Sequence, residues 1–142
     1  MYTLTKQIYS QHSQKLLYDV ANDTERYKDF VPFCSESEVI EDLGDEKHCR
    51  LLFAKGPIAR ELVTRNLLTP NESIEVSLLR GDFSHLSGKW TFEPYEEGTM
   101  VHLYFEYEFS NFLLQQTFGQ LFKPLTEELI YIFSKRADQC ST

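Results

Sequence analysis

Histidine and carboxylate side chains are the groups in this 142-residue sequence that could carry out acid–base chemistry. The four histidines are far apart along the chain, and none has the two companions that a metal site needs. Asp82 and His85 lie on either side of a predicted turn, at a spacing that could form a catalytic dyad. An aspartate that follows a glycine more often serves the geometry of the turn. We therefore predict a protein that is not an enzyme, with no catalytic residue and no bound metal.

Polar residues in the fourth predicted strand are the next candidates, and they occupy both faces of that strand. If Thr64 and Asn66 point inward, they could donate hydrogen bonds to a carbonyl group of a bound molecule, because apolar pockets commonly carry a few orienting polar groups. If Arg65 points inward instead, it needs a buried acid. A third interpretation places Arg60 and Arg65 on the surface, paired with neighbouring glutamates. The pattern alone leaves the inward face of this strand open.

Aromatic side chains make up 14% of the sequence, more than a domain of this size needs to fill its interior. We interpret the surplus as rings that line an apolar cavity, with ordinary core packing as the expected role of about half of them. The predicted lining residues are Trp90, Phe92, Phe105, Phe109, Phe118 and Phe122. Phe33 and Phe83, together with Cys34, are expected in loops at the mouth of the cavity.

Alternation of polar and apolar residues predicts the sheet that must position these side chains. The pattern begins at Tyr2, and Ser13 and the segment Asn22-Asp23-Thr24 then predict two short helices. Six further strands follow, separated by turns rich in glycine, proline, asparagine and aspartate. These strands are predicted at Glu36 to Leu43, Lys47 to Lys55, Ile58 to Leu68, Ser73 to Leu79, His85 to Glu93 and Thr99 to Phe109. Hairpin connections make the sheet antiparallel, with one apolar face.

A long C-terminal helix is predicted from Phe112 to about Ala137, after a cap at Asn111. Its apolar stripe can cover the sheet, since its length of roughly 39 Å is close to the roughly 36 Å of the last strand. Gly119 and Pro124 lie within this segment, so we expect the helix to bend. A bent helix against a curved sheet leaves a hollow into which the surplus rings could point.

Charge and hydropathy limit the classes of partner. Fourteen basic against 22 acidic residues give a net charge of −8, which opposes general attraction to nucleic acid, so direct DNA binding is not expected. No apolar run is long enough to span a membrane, and no basic segment precedes a secretory core. Cys34, Cys49 and Cys140 form no CxxC pair, and an odd count closes no disulfide framework. We predict one domain over residues 1–142, located in the cytoplasm.

Short motifs distributed along the chain resemble a single known family. They are Phe30-Val31-Pro32-Phe33-Cys34-Ser35, Thr64-Arg65-Asn66, Gly81-Asp82-Phe83, the set Leu86, Gly88, Trp90 and Phe92, Gly98-Thr99, Phe109-Ser110-Asn111, Phe118-Gly119, Phe122 and Lys135-Arg136-Ala137. In this order they resemble the coenzyme Q-binding and ribosome-association toxin family, a branch of the START-like, polyketide-cyclase-like superfamily. The resemblance implies an α+β helix-grip (Bet v 1-like) fold, in which a seven-stranded curved antiparallel sheet holds one long C-terminal helix.

The same resemblance implies binding of a hydrophobic small molecule, ubiquinone in the respiratory members, held as cargo rather than as a cofactor and in support of respiration. Such a carrier would contact a membrane transiently and lie at the periphery of the inner membrane. Some bacterial members instead interfere with ribosomal subunit association, so binding to the large ribosomal subunit is the alternative. A cyclase or aromatase activity is a further alternative. Phe33 stands where relatives often carry tryptophan, which keeps a ring but loses an indole donor.

Overall fold

A computed structural model of the chain describes residues 1–141. Seven antiparallel strands form one curved sheet. The strands are β1 (Tyr2–Ser10), β2 (Cys34–Asp42), β3 (Glu46–Lys55), β4 (Ile58–Thr69), β5 (Ser73–Arg80), β6 (Phe83–Tyr95) and β7 (Gly98–Phe109). Their order across the sheet is β1-β7-β6-β5-β4-β3-β2. Strands β2 to β7 therefore form a meander, and β1 pairs with β7 at one edge of the sheet. The predicted seven-stranded antiparallel sheet is confirmed.

Tight turns connect the strands at the positions that the sequence indicates. Gly56 and Asn71 adopt positive φ angles of 58° and 66°, in the left-handed region that glycine and asparagine tolerate best. In β6 and β7 alternate side chains are buried, as in the pattern that runs from Val101 to Tyr107. The apolar face predicted for these two strands is therefore confirmed.

Helices cover the apolar face of the sheet. The structure contains α1 (Gln14–Asn22), a 3₁₀ turn (Thr24–Arg26) leading into α2 (Tyr27–Phe30), then α3 (Phe112–Gln116) and α4 (Phe118–Cys140). The hydroxyl of Ser13 accepts a hydrogen bond from the backbone N–H of Leu16 at 3.1 Å, which caps α1. The two short helices predicted after the first strand are confirmed. Within residues 1–141, no helix combines the length and the apolarity required to cross a membrane.

The C-terminal helix is divided at Thr117, so the prediction of one helix from Phe112 onward is wrong at its start. The hydroxyl of Thr117 donates a hydrogen bond to the carbonyl oxygen of Leu113 at 2.8 Å. The backbone of Thr117 has a ψ angle of −81°, which interrupts the helix. A hydroxyl bonded to a carbonyl four residues earlier competes with the helical ladder and redirects the chain. Gly119 then lies against the ring of Phe109, where an added Cβ would approach Phe109 Cε2 to 3.2 Å.

Pro124 lies inside α4, where it supplies no backbone N–H for the carbonyl of Gln120. Two residues later, the hydroxyl of Thr126 donates to the carbonyl oxygen of Lys123 at 2.9 Å. The helix continues through this position, and its buried face packs on the sheet. The residues of that face are Phe118, Leu121, Phe122, Leu125, Ile130, Phe133 and Ala137.

Candidate functional site

A small cavity lies between the inner face of the sheet and α4. Its volume is about 90 Å³, and its walls come from β3 to β7, from α4 and from the segment that includes α2. The lining residues are Thr24, Tyr27, Val31, Cys49, Leu51, Phe53, Leu62, Thr64, Asn66, Val76, Leu86, Trp90, Phe105, Phe122, Leu125, Thr126, Leu129 and Phe133. None of these side chains carries a charge at neutral pH.

One wall of the cavity holds a chain of buried polar groups. The Thr64 hydroxyl donates to Asn66 Oδ1 at 3.0 Å, and Asn66 Nδ2 donates to Cys49 Sγ at 3.7 Å. The Cys49 thiol in turn donates to Thr24 Oγ1 at 3.6 Å. An amide group has two donors and two acceptor sites, so these bonds leave Asn66 with one N–H and one lone pair for another partner. The wall can therefore orient a neutral polar group.

The structure shows which residues of β4 face inward, a point that the sequence pattern did not decide. Thr64 and Asn66 are 5% and 8% exposed, whereas Arg65 lies outward, with Nη2 at 2.8 Å from Glu46 Oε1. Arg60 is also on the outside, where its Nη2 donates to Asp82 Oδ1 at 2.6 Å. The interpretation in which these two arginines form surface ion pairs is confirmed, although one of the two acids is an aspartate.

Asp82 and His85 do not form a dyad. Asp82 is engaged by Arg60, and His85 Nε2 lies 2.9 Å from Glu106 Oε1 on β7. Both groups belong to the outer surface rather than to the cavity. Within residues 1–141 no group of three or more histidine, cysteine or acidic side chains is arranged to hold a metal ion.

Burial keeps the titratable groups of the cavity neutral. It raises the pKa of the Cys49 thiol, which opposes formation of the nucleophilic thiolate. It also raises the pKa of Tyr27, whose hydroxyl donates to the carbonyl oxygen of Ala21. The cavity therefore suits an uncharged ligand and supplies no evident general base.

The opposite wall is aromatic. Trp90 stacks on Phe133 with ring centroids 4.9 Å apart, and the ring of Phe122 lies 6.4 Å from that of Phe105. Beneath them the hydroxyls of Tyr107 and Thr126 share a buried hydrogen bond of 3.1 Å, which joins β7 to α4. α4 is thus held in register with the sheet by a polar contact as well as by packing.

Five of the predicted site residues line the cavity together, on walls contributed by β4, β6, β7 and α4. They are Thr64, Asn66, Trp90, Phe105 and Phe122. The remaining predicted site residues lie elsewhere in the structure.

Phe83 does not lie in a loop at the cavity mouth, because it is the first residue of β6 and is 5% exposed. Its ring stacks on that of Phe109 at 4.8 Å and contacts that of Phe118 at 6.0 Å. These three rings fill the end of the core beside the start of α4 instead of lining the cavity. Cys34, also expected at the mouth, is buried as the first residue of β2.

Phe92 and Phe33 also lie away from the cavity. Phe92 points inward but contacts Tyr18 of α1, with ring centroids 6.1 Å apart, in a separate small hollow. Phe33 is 41% exposed and has a positive φ of 67°. The ammonium of Lys55 lies over its ring, 5.0 Å from the ring centroid. The left-handed backbone at Phe33 turns the ring away from the interior.

Cys49 and Thr24 were not predicted from the sequence as partners of the polar wall. The signal for Cys49 was present, because the two-residue turn predicted at Gly56-Pro57 fixes the register of the β3–β4 hairpin. That register places Cys49 directly opposite Thr64. Thr24 reaches the wall from a separate segment, so no local pattern could have identified it.

Comparison with known proteins gives similarities over nearly the whole chain. The profile of the family described as polyketide cyclase / dehydrase and lipid transport matches residues 10–134. The Ribosome association toxin RatA of Pseudomonas aeruginosa is 34% identical over 126 residues, which cover 88% of each chain. The protein of the same name from Escherichia coli K12 is 32% identical over 129 residues, covering 90% of this chain and 82% of the relative.

A more distant relative is the mitochondrial Coenzyme Q-binding protein COQ10 homolog B of Xenopus laevis. It is 24% identical over 126 residues, covering 85% of this chain and 52% of the relative. Among solved structures, TTHA0849 from Thermus thermophilus superposes with a TM-score of 0.83 at 20% identity, covering 99% and 100% of the two chains. The Zhui aromatase/cyclase from Streptomyces sp. R1128 gives 0.83 at 14% identity, covering 97% and 94%. At these identities the structures establish a shared START-like fold.

Proposed function

The chain belongs to the polyketide cyclase / dehydrase and lipid transport family. We propose that within this family it acts on the ribosome, because its bacterial relatives carry the name ribosome association toxin. The observation that carries the proposal is the similarity to the RatA proteins, at 34% identity over 88% of both chains for the Pseudomonas aeruginosa relative. We infer that the protein binds the large ribosomal subunit and hinders its association with the small one.

The size of the cavity supports this proposal over carriage of a prenylated quinone. Its volume of about 90 Å³ is below the roughly 150 Å³ of an engineered cavity that binds benzene. It is also below the roughly 300 Å³ at the lower end of ligand pockets. A quinone ring with an isoprenoid tail would have to displace α4 from the sheet. The relative named for coenzyme Q binding is also the less similar one, at 24% identity.

Sedimentation of ribosomes with purified protein tests the proposed function. We expect added protein to reduce the peak of whole ribosomes, to increase the two subunit peaks and to sediment with the large subunit. An unrelated acidic protein of similar size is the control, because it reproduces the charge but not the surface. An unchanged profile at a stoichiometric excess of the protein would contradict the proposal.

We propose, secondly, that the cavity, enlarged by a small outward movement of α4, binds a small neutral molecule such as an unprenylated quinone, one carbonyl oxygen of which accepts a hydrogen bond from Asn66. The observation that favours this role is the remaining hydrogen-bonding capacity of Asn66 in an otherwise apolar wall. Because the lining carries no charged residue and no evident general base, we also propose that the bound molecule is held without chemical conversion. Catalysis by the related cyclases is a property of those proteins.

A thermal-shift titration with an unprenylated quinone tests the second proposal. Leu129→Phe should fill the cavity and abolish the shift, because Leu129 lines it. Ile132→Phe is the matched control, since Ile132 is half-buried on the same helix but outside the lining. Equal shifts in both variants, or no shift in the wild-type protein together with no small molecule in organic extracts analysed by mass spectrometry, would exclude the cavity as a binding site.

A further inference from the structure

Arginine side chains on the outer face of the sheet are paired with neighbouring acids. Arg50 lies within 4.0 Å of Glu36, Glu38 and Glu61, and Arg80 shares Glu61. The ion pairs of Arg60 and Arg65 described above complete this set. The four arginines of the sheet are therefore unsuited to attract a polyanion.

Basic side chains between β1 and α4 have a different environment. The ammonium of Lys123 lies 4.8 Å from the ring centroid of Tyr2, and that of Lys6 lies 5.9 Å from the ring centroid of Tyr131. Lys135 follows one helical turn after Tyr131. We call the five residues Tyr2, Lys6, Lys123, Tyr131 and Lys135 the β1–α4 seam. Among residues 1–141, no carboxylate lies within 4.0 Å of its three lysines.

The spacing of the seam follows from its two elements. Tyr2 and Lys6 are separated by roughly 13 Å along β1 at about 3.3 Å per residue. Lys123 and Tyr131 are separated by roughly 12 Å along α4 at about 1.5 Å per residue. The two cation–ring pairs therefore repeat at matching intervals along a strand and a helix that run side by side. Lys135 continues the row, because residues four apart share a helix face.

Three carboxylates lie near the seam. Glu127 Oε1 accepts a hydrogen bond from the Tyr2 hydroxyl at 2.6 Å, and Asp138 is paired with His12 at 2.7 Å. Glu128 is the further exposed carboxylate on this part of α4. β1 itself contains no acidic residue. Two of these three carboxylates are engaged by Tyr2 and His12, so the three lysines of the seam stay without an ion pair among the described residues, in a chain whose net charge is −8.

We propose that the β1–α4 seam is the surface through which this protein contacts ribosomal RNA; this inference rests on the proposed ribosome association. The three lysines take backbone phosphates, and Tyr131, whose side chain is 47% exposed, stacks on an unpaired base. Cations beside an exposed aromatic ring are the chemistry that recognises single-stranded RNA, because the cations follow the phosphates and each base offers a π-face to the ring. A purely protein partner would not require this combination.

Two lysine-to-glutamine triple variants of equal net charge test the inference. The seam variant is Lys6→Gln, Lys123→Gln and Lys135→Gln. The control is Lys47→Gln, Lys55→Gln and Lys89→Gln, which removes three lysines of β3 and β6 that also lack a carboxylate partner in the described ion pairs. Binding to purified large subunits is measured at several salt concentrations. The slope of log K against log salt is negative, and each phosphate contact contributes about 0.7 to its magnitude on a single strand. Loss of three contacts in the seam variant should therefore make the slope shallower by about 2, and the control should retain the wild-type slope.

Each outcome decides between the proposals. If the seam variant binds with the affinity and the slope of the wild-type protein, the RNA inference is overturned. It is also overturned if binding depends on the seam but protein-free ribosomal RNA does not compete with large subunits for the protein, because the partner is then a protein. Absence of binding by the wild-type protein instead overturns the proposed function. Tyr131→Leu keeps the test decisive if the triple variant does not fold. It should weaken binding about tenfold without changing the slope, and unchanged affinity would also contradict the inference.

Discussion

The buried hydroxyl of Thr64 donates a hydrogen bond to the amide of Asn66 in the cavity wall, and the contribution of this bond to stability can be measured directly. Thr64→Val preserves the shape of the side chain but leaves Asn66 Oδ1 without its donor. We expect a loss of about 1–3 kcal/mol in the free energy of unfolding, because an unpaired buried acceptor pays its desolvation cost. Thr64→Ser retains the hydroxyl and should lose about 1 kcal/mol through the missing methyl group. Urea unfolding measures both; a larger loss for serine would contradict the role of the hydrogen bond.

Glu46 reports on the charge network of the outer face. Hydrogen bonds from Arg65, then from His48, lower the pKa of this carboxyl to about 2. Because the folded-state pKa is below the unfolded one, the stabilisation is complete above the ordinary glutamate range near pH 4 to 5 and is lost as the pH falls towards 2. We expect Arg65→Gln to raise the pKa of Glu46, as measured by carbon NMR titration. Arg80→Gln, which breaks the separate pair with Glu61, should leave it at about 2.

At the scale of elements, the β3–β4 turn determines the register that brings Cys49 and Thr64 together. Gly56 in this turn has a φ of 58°, with open space around the position of a Cβ. Gly56→Ala should therefore lose about 1 kcal/mol of unfolding free energy through backbone strain alone. Gly56→Asn should lose less, because asparagine tolerates the left-handed region. Equal losses for the alanine and asparagine variants in thermal or urea unfolding would mean that left-handed backbone strain at position 56 does not determine the stability of the turn.

Strands and turns could be predicted from the sequence because their signals are local. Alternation in β6 and β7 and the turn residues between strands report burial and backbone geometry at their own positions. The division of the C-terminal helix at Thr117 could not be predicted, since it depends on a side-chain bond to Leu113 and on the contact of Gly119 with Phe109. The inward face of β4 was hidden for a related reason: Thr64 and Asn66 are buried polar residues whose partners come from other segments.

The aromatic residues show the same limit within the site. Composition predicts many rings on the inner face, but it does not distinguish rings that border the cavity, such as Trp90, from rings that fill the core, such as Phe83 and Phe118. That distinction depends on where α4 begins, because the start of the helix covers Phe83 and Phe109. The division at Thr117 thus sets both the boundary of the helix and the boundary of the cavity.

At the scale of the whole molecule, the distribution of charge matters more than its sum. A net charge of −8 argues against binding RNA only if the charge is spread evenly. Here the arginines of the sheet are paired, and lysines without a carboxylate partner among the described ion pairs lie along β1 and α4. An acidic protein can therefore still present a strip of unpaired lysines to RNA.

Removal of a negative charge beside that strip should strengthen the proposed contact. We expect Glu128→Gln to tighten binding to large subunits several-fold at low salt, with the gain lost as salt screens the charges. Glu75→Gln, on the outer face of β5, makes the same change in net charge away from the seam and should have a smaller effect. Equal gains in the two variants would indicate that net charge, rather than local charge, governs binding.

α4 contributes Phe122, Leu125 and Thr126 to the cavity and Lys123 and Tyr131 to the seam. We expect a ligand that exceeds the cavity volume of about 90 Å³ to displace this helix, which also carries Lys123 and Tyr131 beside β1. Because both proposed sites use α4, we expect them to be thermodynamically linked: whatever factor a cavity ligand applies to RNA affinity, RNA applies to ligand affinity. Titration of a small quinone with and without large subunits measures this factor, and a value of one would mean that the two sites are independent.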